Sequence, residues 1–317
     1  MLQQIVDWFL YGLFNLDSES RLVQSFNFFI YDSIKILFLL FFMILIVGFL
    51  RTYITPEKIK KLLSGKRQGG NNFLASIFGA MTPFCSCSSI PLFLGFLKAG
   101  VPLGVTFSFL ITSPLVNEYL IALMLGFFGW KITLAYAISG IFIGTFSGMI
   151  LGKMKLEKYL VKDMDVKNSR EEKYDSFRKR FIFGYNEAKS IVKKLWIWIV
   201  IGVGVGSLIH NYVPSETIQG IVSSGGIFSV PLAVILGVPL YGSCAAIVPI
   251  AIVLFQKGVP LGTALAFMMA ISALSFPEAI MLRRAMKLKL ILIFFGVVSV
   301  GIVTVGYLLN LLEGILG

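Results

Sequence analysis

The feature that most constrains the fold is a series of apolar stretches, each long enough to cross a lipid bilayer as a helix. A helix needs about 20 apolar residues to span roughly 30 Å of hydrocarbon. Such stretches lie at residues 33–50, 131–151, 195–212 and 290–311, with longer apolar blocks at 72–128 and 227–282. Of 317 residues, 57% are hydrophobic and 14% are charged, which is too apolar for an ordinary soluble domain. The sequence therefore predicts an all-α, multi-pass protein of the cell membrane with about eight to ten membrane segments.

Basic residues are concentrated in three connecting segments. Residues 51–70, 152–194 and 283–289 hold 23 of the 28 Lys and Arg residues. Cytoplasmic loops of membrane proteins carry such an excess, so these segments are predicted to be cytoplasmic. Topology thus accounts for the net charge of +12, and no nucleic-acid partner is expected.

The two long apolar blocks present a topological problem. Each must cross the membrane a net odd number of times to join its flanking loops, yet each contains two apolar segments of helical length. One segment in each block is therefore predicted to be re-entrant, unless the block is broken into three crossings.

The blocks also repeat one another in sequence. The run Gly-Val-Pro-Leu-Gly occurs at 100–104 and again at 258–262, an offset of 158 residues. Because the preceding helices run in opposite directions, the repeats are predicted to be inverted, with a binding site between them. An ordinary pair of helical hairpins is the alternative. The predicted domains are an interfacial N-terminal segment, a first membrane repeat, a basic linker and a second membrane repeat, at 1–25, 26–151, 152–194 and 195–317.

Prolines mark the positions where the helices of the two blocks are predicted to break. Proline removes a helical hydrogen bond and frees backbone groups, which at membrane depth must face protein or a water-filled cavity. The predicted breaks involve Pro83, Pro91 and Pro114 in the first block and Pro239, Pro249 and Pro277 in the second. A ladder of glycines at 140, 144, 148 and 152 predicts close packing of another helix.

All three cysteines of the chain lie in these breaks. Cys85 and Cys87 belong to the first block and Cys244 to the second. Thiols gathered from two repeats suit a soft ion such as trivalent arsenic or Cu(I). The predicted substrate site consists of these cysteines with the neighbouring hydroxyls of Ser86, Ser88 and Ser243. Cysteine also packs well as a small apolar residue, which is the alternative interpretation. No resident metal and no other cofactor is predicted.

Two acidic residues are predicted to lie inside the membrane at matching places in the two repeats. Glu118 follows Asn117 after Pro114, and Glu278 follows Pro277. Acids at this depth usually face a cavity and have a function, so Glu118, Glu278 and Asn117 are predicted to couple transport to protons. Pairing of the acids with interfacial cations such as Arg283 is the alternative.

The sequence resembles a known family. The run Thr-Pro-Phe-Cys-Ser-Cys-Ser at 82–88, with Ile-Pro-Leu at 90–92 and the Gly-Val-Pro-Leu-Gly run, is similar to the signature of the predicted permease family that includes the organoarsenical efflux permease ArsP. The resemblance covers nearly the whole chain. It implies a bacterial or archaeal inner-membrane exporter, and for characterised relatives it implies trivalent methylated or aromatic arsenicals as cargo.

The sequence leaves three functions to be weighed. The first is a secondary, proton-coupled exporter of a small thiophilic solute, which is not an enzyme and hydrolyses no nucleotide. The second is a permease for another solute, such as a metal ion or a sulfur oxyanion. The third is a membrane thiol oxidoreductase, although the chain lacks a Cys-x-x-Cys pair. A homo-oligomer is compatible with each of the three.

Overall fold

The computed structural model describes eleven parts of the chain: residues 2–13, 20–51, 68–82, 86–98, 100–161, 176–212, 220, 225–240, 244–256, 258–283 and 285–316. In these parts every regular element is a helix, apart from one antiparallel bridge between Leu160 and Met286. The prediction of an all-α protein is confirmed.

Twelve α-helices are present in the described residues. The first six are α1 (Leu2–Asp7, continued by a π-helix at Trp8–Leu13), α2 (Arg21–Arg51), α3 (Gln68–Ala80), α4 (Ser86–Lys98), α5 (Leu103–Leu115) and α6 (Glu118–Lys153). The second six are α7 (Phe177–Tyr212), α8 (Ser229–Gly237), α9 (Cys244–Gln256), α10 (Leu261–Ala273), α11 (Phe276–Leu282) and α12 (Leu288–Leu316). Short 3₁₀-helices occupy Leu156–Tyr159 and Gly226–Phe228.

Three helical stretches in the described residues are long and apolar enough to cross a membrane. They are Glu118–Lys153, Leu261–Leu282 and Leu288–Gly314. Two more apolar helices, Leu103–Leu115 and Gly226–Gly237, are shorter than a bilayer requires. The first and second apolar blocks therefore contain half-length helices, as expected for interrupted membrane segments.

The Gly-Val-Pro-Leu-Gly runs form the same turn twice. Gly100 and Gly258 have φ angles of 78° and 87°, which a residue with a side chain adopts only with strain. The following N–H groups close a Schellman motif: Val101 donates to the carbonyl of Phe96 at 3.0 Å, and Val259 to that of Leu254 at 3.1 Å. A proline, Pro102 or Pro260, is then the N-cap residue of the next helix, a position where its missing N–H is not needed.

Helix α6 is interrupted at one residue. Gly129 has φ 76° and ψ 176°, which is not helical, although the flanking residues continue as helix. At the offset of 158 its counterpart is Lys287, which lies in the loop between α11 and α12. A kink in the first half therefore corresponds to a full loop in the second.

Close packing around glycines recurs at the same offset. A β-carbon on Gly79 would lie 2.9 Å from the carbonyl oxygen of Phe109, and one on Gly237 would lie 3.2 Å from that of Phe267. The glycine ladder of α6 faces α5, where a β-carbon on Gly104 would lie 2.7 Å from the carbonyl oxygen of Gly148. The predicted close packing at this ladder is confirmed.

These contacts also give the directions of the helices. Asn72 and Gly79 of α3 contact progressively later residues of α5, so α3 and α5 run parallel. In the second half Ser229 contacts Thr263 at 3.2 Å and Gly237 contacts Ala270, so α8 and α10 also run parallel. Helices α6 and α12 each pack antiparallel to α5 and α10, respectively.

Several contacts join the two halves. Helix α2 packs along α7, α6 packs against α12 and α9, and α4 packs against α11. Rings of Phe107 and Phe294 stack with centroids 5.5 Å apart. The segment that follows α6 lies beside the segment that precedes α12, since Leu160 pairs with Met286.

The N-terminal segment is attached to α2 by polar side chains. Asn27 donates to Asp7 at 2.7 Å, and Gln3 donates to both Asp7 and Asn27 at 2.9 Å. Trp8 is 65% exposed. This arrangement is compatible with the predicted interfacial segment, because a tryptophan at a helix end suits the membrane surface.

Candidate translocation site at the helix breaks

The first block is interrupted at two places that lie close together. Helix α3 ends at Ala80 and its last turn is closed by Thr82, whose hydroxyl donates to the carbonyl of Gly79 at 2.9 Å. Gly79 lies against the backbone of Phe109 and Ser113 in α5. Helix α5 ends at Leu115, so the end of α3 is held beside the second interruption, at 116–117.

The second block has the corresponding pair of interruptions. Helix α8 ends at Gly237, and α10 ends at Ala273. The N–H of Phe276 donates to the carbonyl of Val238 at 3.0 Å. This hydrogen bond joins the chain leaving α8 to the start of α11, so both interruptions of the second block also lie together.

The predicted substrate residues lie at the starts of α4 and α9. Ser86, Cys87 and Ser88 form the first turn of α4, and Cys244 is the first residue of α9, but their side chains lie outside the described part of the structure. Cys85 and Ser243 lie outside the described residues altogether. Among the side chains that are described, no group of three His, Cys, Asp or Glu could hold a metal.

The predicted proline breaks need one correction. Pro91 and Pro249 lie inside α4 and α9, and neither helix ends there. A proline removes only one intrahelical hydrogen bond, and a helix packed between neighbours can continue past it with local adjustment. The other described prolines do flank interruptions: Pro114 is in the last turn of α5, Pro239 follows α8, and Pro277 is in the first turn of α11. Pro83 lies outside the described residues.

The two acids have different surroundings. Glu278 is completely buried, whereas Glu118 is exposed. Helix α11, which carries Glu278, packs against α7 and α4. Arg283, the alternative partner for Glu278, is exposed at the end of α11.

The register of the acids also needs a correction. At the offset of 158, Glu118 corresponds to Phe276, and Glu278 corresponds to Leu120. Phe276 is 44% exposed, like Glu118, and Leu120 is completely buried, like Glu278. The acids therefore do not lie at matching places. They are two residues out of register, and a shift of two residues turns a side chain by about 200° around the helix axis. These two positions have the same burial in both repeats, and the acid occupies the exposed one in the first repeat and the buried one in the second.

Asn117 has a structural role that the sequence did not indicate. Its side-chain oxygen accepts a hydrogen bond from the N–H of Leu120 at 2.9 Å, which caps the N-terminus of α6. Ser275 occupies the corresponding position before α11 and makes no side-chain cap.

Two buried serines were missed by the sequence reasoning. Ser89 is completely buried at the start of α4, two residues after Cys87. Ser272 is buried in the last turn of α10, and its hydroxyl has no hydrogen-bond partner among the described residues. Both belong to the polar residues that precede or follow the breaks, and for Ser89 the nearby Pro91 is the signal that could have identified it.

Comparison with known proteins gives the family of the chain. Residues 21–311 match a family described as predicted permease. The UPF0718 protein YcgR of Bacillus subtilis is 22% identical over 306 residues, which cover 93% of this chain and 99% of that protein. The UPF0718 protein MJ0584 of Methanocaldococcus jannaschii is 20% identical over 297 residues, or 75% and 81% of the two chains.

A further relative is similar over a shorter region. A Streptococcus mutans protein named as a two-component membrane permease complex subunit is 22% identical over 176 residues, which cover 55% of this chain and 58% of that protein. No solved structure matches the chain. Because the family match extends over most of the sequence, the chain belongs to the predicted permease family.

Proposed function

We propose that this membrane permease is a secondary, proton-coupled exporter of a small thiophilic solute, with trivalent organoarsenicals as the cargo. The observation that carries the proposal is the recurrence, at one offset, of paired helix interruptions that place Cys87 and Cys244 in the first turns of equivalent helices. The chain acts without nucleotide or cofactor and is not an enzyme.

An inverted arrangement of the two repeats is supported by the contact between their last helices. Helix α6 and helix α12 occupy equivalent places at the offset of 158. The segment that follows α6 pairs with the segment that precedes α12, through Leu160 and Met286. Gly301, near the middle of α12, also lies against Ile143 and Ser147 of α6. Equivalent helices that run in opposite directions are what inverted repeats require.

A re-entrant hairpin in each repeat is supported by the parallel helix pairs. Since α3 runs parallel to α5, the helix between them must return in the opposite direction. Helices α3 and α4 have 13 residues each, or about 20 Å, which is less than the hydrocarbon thickness. The same argument applies to α8 and α9. The hairpin tips would then carry the cysteine-containing breaks into the membrane, which resolves the odd number of crossings.

Contacts between the halves support a binding site between these hairpins. Helix α4 packs against α11, and α9 packs against α6, so each hairpin returns along a broken helix of the other repeat. If these two contacts between the repeats opened alternately, a central site would be exposed first to one side of the membrane and then to the other.

The chemistry of the cargo rests on the thiols. A trivalent arsenical with As–OH groups exchanges each hydroxyl for a cysteine sulfur and releases one water molecule per bond. Soft thiol ligands prefer such an ion, whereas the hard ions prefer oxygen. Exchange with water reverses the binding, as transport requires.

Glu278 is the better candidate for proton coupling. A completely buried acid in a membrane protein carries a large cost in its charged form, so it tends to have a function. Its helix, α11, contacts α4, which begins with the cysteine run. Binding of cargo at α4 and protonation on α11 can therefore influence one another through a direct helix contact.

The experiment that tests this function is a resistance assay in a bacterial host without its own arsenical exporters. The Cys87→Ser and Cys85→Ser variants are expected to lose resistance to a trivalent methylated arsenical while their abundance in the membrane stays normal. The pentavalent form of the same compound, which does not bond thiols, is the matched control and should show no difference between variants. Full resistance in both variants would remove the thiols from the mechanism, and the permease for another solute would then be the better account.

A further inference from the structure

The loop after α6 and the loop before α12 form one continuous basic surface. The N–H of Val161 donates to the carbonyl of Ala285 at 3.1 Å, and the N–H of Lys287 donates to that of Tyr159 at 2.9 Å. Six exposed cations lie on these two loops and the adjoining helix ends: Lys153, Lys155, Lys158, Arg283, Lys287 and Lys289. We call this surface the basic bridge.

Tyr159 lies at the centre of the basic bridge. The Lys158 ammonium is 5.1 Å from the centroid of the Tyr159 ring, and the Lys289 ammonium is 5.4 Å from it. A hydrogen bond with Lys289, together with the charges of both lysines, lowers the pKa of the Tyr159 hydroxyl below its ordinary value. Two cations from opposite sides of the bridge thus converge on one hydroxyl.

Negative charge is scarce in this region. Glu157 is the only acidic residue within 153–161 and 283–289. Helix α12 begins at Leu288 with no acid in its first turn, and lysines lie on either side of that residue. Lysines beside a helix N-terminus add to the positive end of its dipole, an unfavourable arrangement that a bound anion would relieve.

We propose that the basic bridge binds the headgroup of an anionic phospholipid of the surrounding membrane. The bridge joins the ends of α6 and α12, two of the helices long enough to span a bilayer, so it lies at the depth of the headgroups. Exposed apolar side chains continue from it along both helices, with Ile150 of α6 49% exposed and Leu288 and Leu292 of α12 53% and 63% exposed. A lipid satisfies both features, since its phosphate meets the cations and its chains cover the apolar surface.

Native mass spectrometry of the intact chain in detergent tests this assignment, with phosphatidylglycerol or phosphatidylcholine added. We expect phosphatidylglycerol to bind more tightly. Each lysine near an anionic headgroup contributes about fivefold to binding, so the Lys158→Gln/Lys289→Gln variant should bind phosphatidylglycerol about 25-fold more weakly. Its weak binding of phosphatidylcholine should not change. The Lys158→Arg/Lys289→Arg variant, which keeps both charges, should bind like the unmodified chain.

A matched control distinguishes lipid binding at the basic bridge from a general effect of the positive charge of the protein. Lys179 and Lys193 are exposed on α7, and the Lys179→Gln/Lys193→Gln variant loses the same two charges. It should keep phosphatidylglycerol binding within about twofold, because neither lysine belongs to the two loops of the basic bridge. Equal losses in the two double variants, or equal affinity for both lipids, would overturn the proposal. Displacement of the lipid by inorganic phosphate would also overturn it, because the ligand would then be a soluble anion.

Discussion

The segments that follow the two central breaks share a backbone and differ in chemistry. After 116–117 the N–H of Ile121 donates to the carbonyl of Asn117 at 3.0 Å, and after 274–275 the N–H of Ala279 donates to that of Ser275 at 3.1 Å. Yet the first segment has its acid at an exposed position and the second at a buried one. The two repeats therefore share the path of the chain and the burial of these two positions, and they differ in which of the two positions holds the acid.

The largest change in transport is expected when Glu278 is replaced, and little change is expected when Glu118 is replaced. The Glu278→Gln variant should reduce proton-driven export by about tenfold or more, because an embedded acid that can gain and lose a proton is replaced by an amide that cannot. The Glu118→Gln variant should export at a rate within about twofold of the unmodified chain, since an exposed carboxylate interacts only weakly with neighbouring charged groups. Transport into everted vesicles, driven by an imposed proton gradient, measures both.

A further variant replaces Glu278 by the residue found at the equivalent position of the first repeat. Leu120 is the buried counterpart of Glu278, so Glu278→Leu should fold and reach the membrane while its export is lost. Equal losses for Glu118→Gln and Glu278→Gln would show that burial does not distinguish the two acids, and the comparison drawn above would be wrong.

Much of this arrangement could be predicted from the sequence, and the exceptions have physical causes. The apolar blocks, the offset of 158 and the glycine ladder follow directly from the order of residues in the sequence, and the structure contains the helices, turns and contacts that they predict. Pro91 and Pro249 misled the prediction because the effect of a proline depends on the neighbours that support the helix. The burial of Glu278 could not be predicted from its motif, since it depends on helices α7 and α4, which are distant in sequence.

A smaller effect, on the free energy of unfolding, is expected from replacing Gly148 in α6 or its counterpart Gly306 in α12. A β-carbon on Gly148 would meet the hydroxyl of Ser108 and two backbone atoms, the carbonyl oxygen of Gly104 at 2.7 Å and the nitrogen of Ser108 at 2.8 Å. One on Gly306 would meet the side chains of Val230 and Ala266 at 2.6 and 3.0 Å, and its nearest backbone atom would be 3.3 Å away. Side chains can shift and backbone cannot, so Gly148→Ala should lower the free energy of unfolding by about 2–3 kcal/mol and Gly306→Ala by about 1 kcal/mol.

Thermal unfolding of the detergent-solubilised chain, followed by circular dichroism, compares these two variants. Gly296→Ala is the matched control, because a β-carbon there would meet nothing within 4 Å. Alanine favours a helix over glycine by about 0.5–1 kcal/mol, so this variant should be at least as stable as the unmodified chain. Equal destabilisation by Gly148→Ala and Gly306→Ala would show that the second helix pair is as rigid as the first.

The smallest effect on the free energy of unfolding is expected for the residues before α6 and α11. Variants of Asn117 also separate its role as a helix cap from its predicted role in proton coupling. Its side chain caps α6, so Asn117→Ala should lower the free energy of unfolding by about 1 kcal/mol, while Ser275→Ala should change it little because Ser275 makes no such cap. Asn117→Ser keeps a capping oxygen but has no amide. If Asn117 acts only as a cap, Asn117→Ser restores both the unfolding temperature and proton-driven export to the level of the unmodified chain. If stability returns and export does not, the amide itself takes part in coupling, and the exposed end of α6 contributes to transport beside the buried acid of α11.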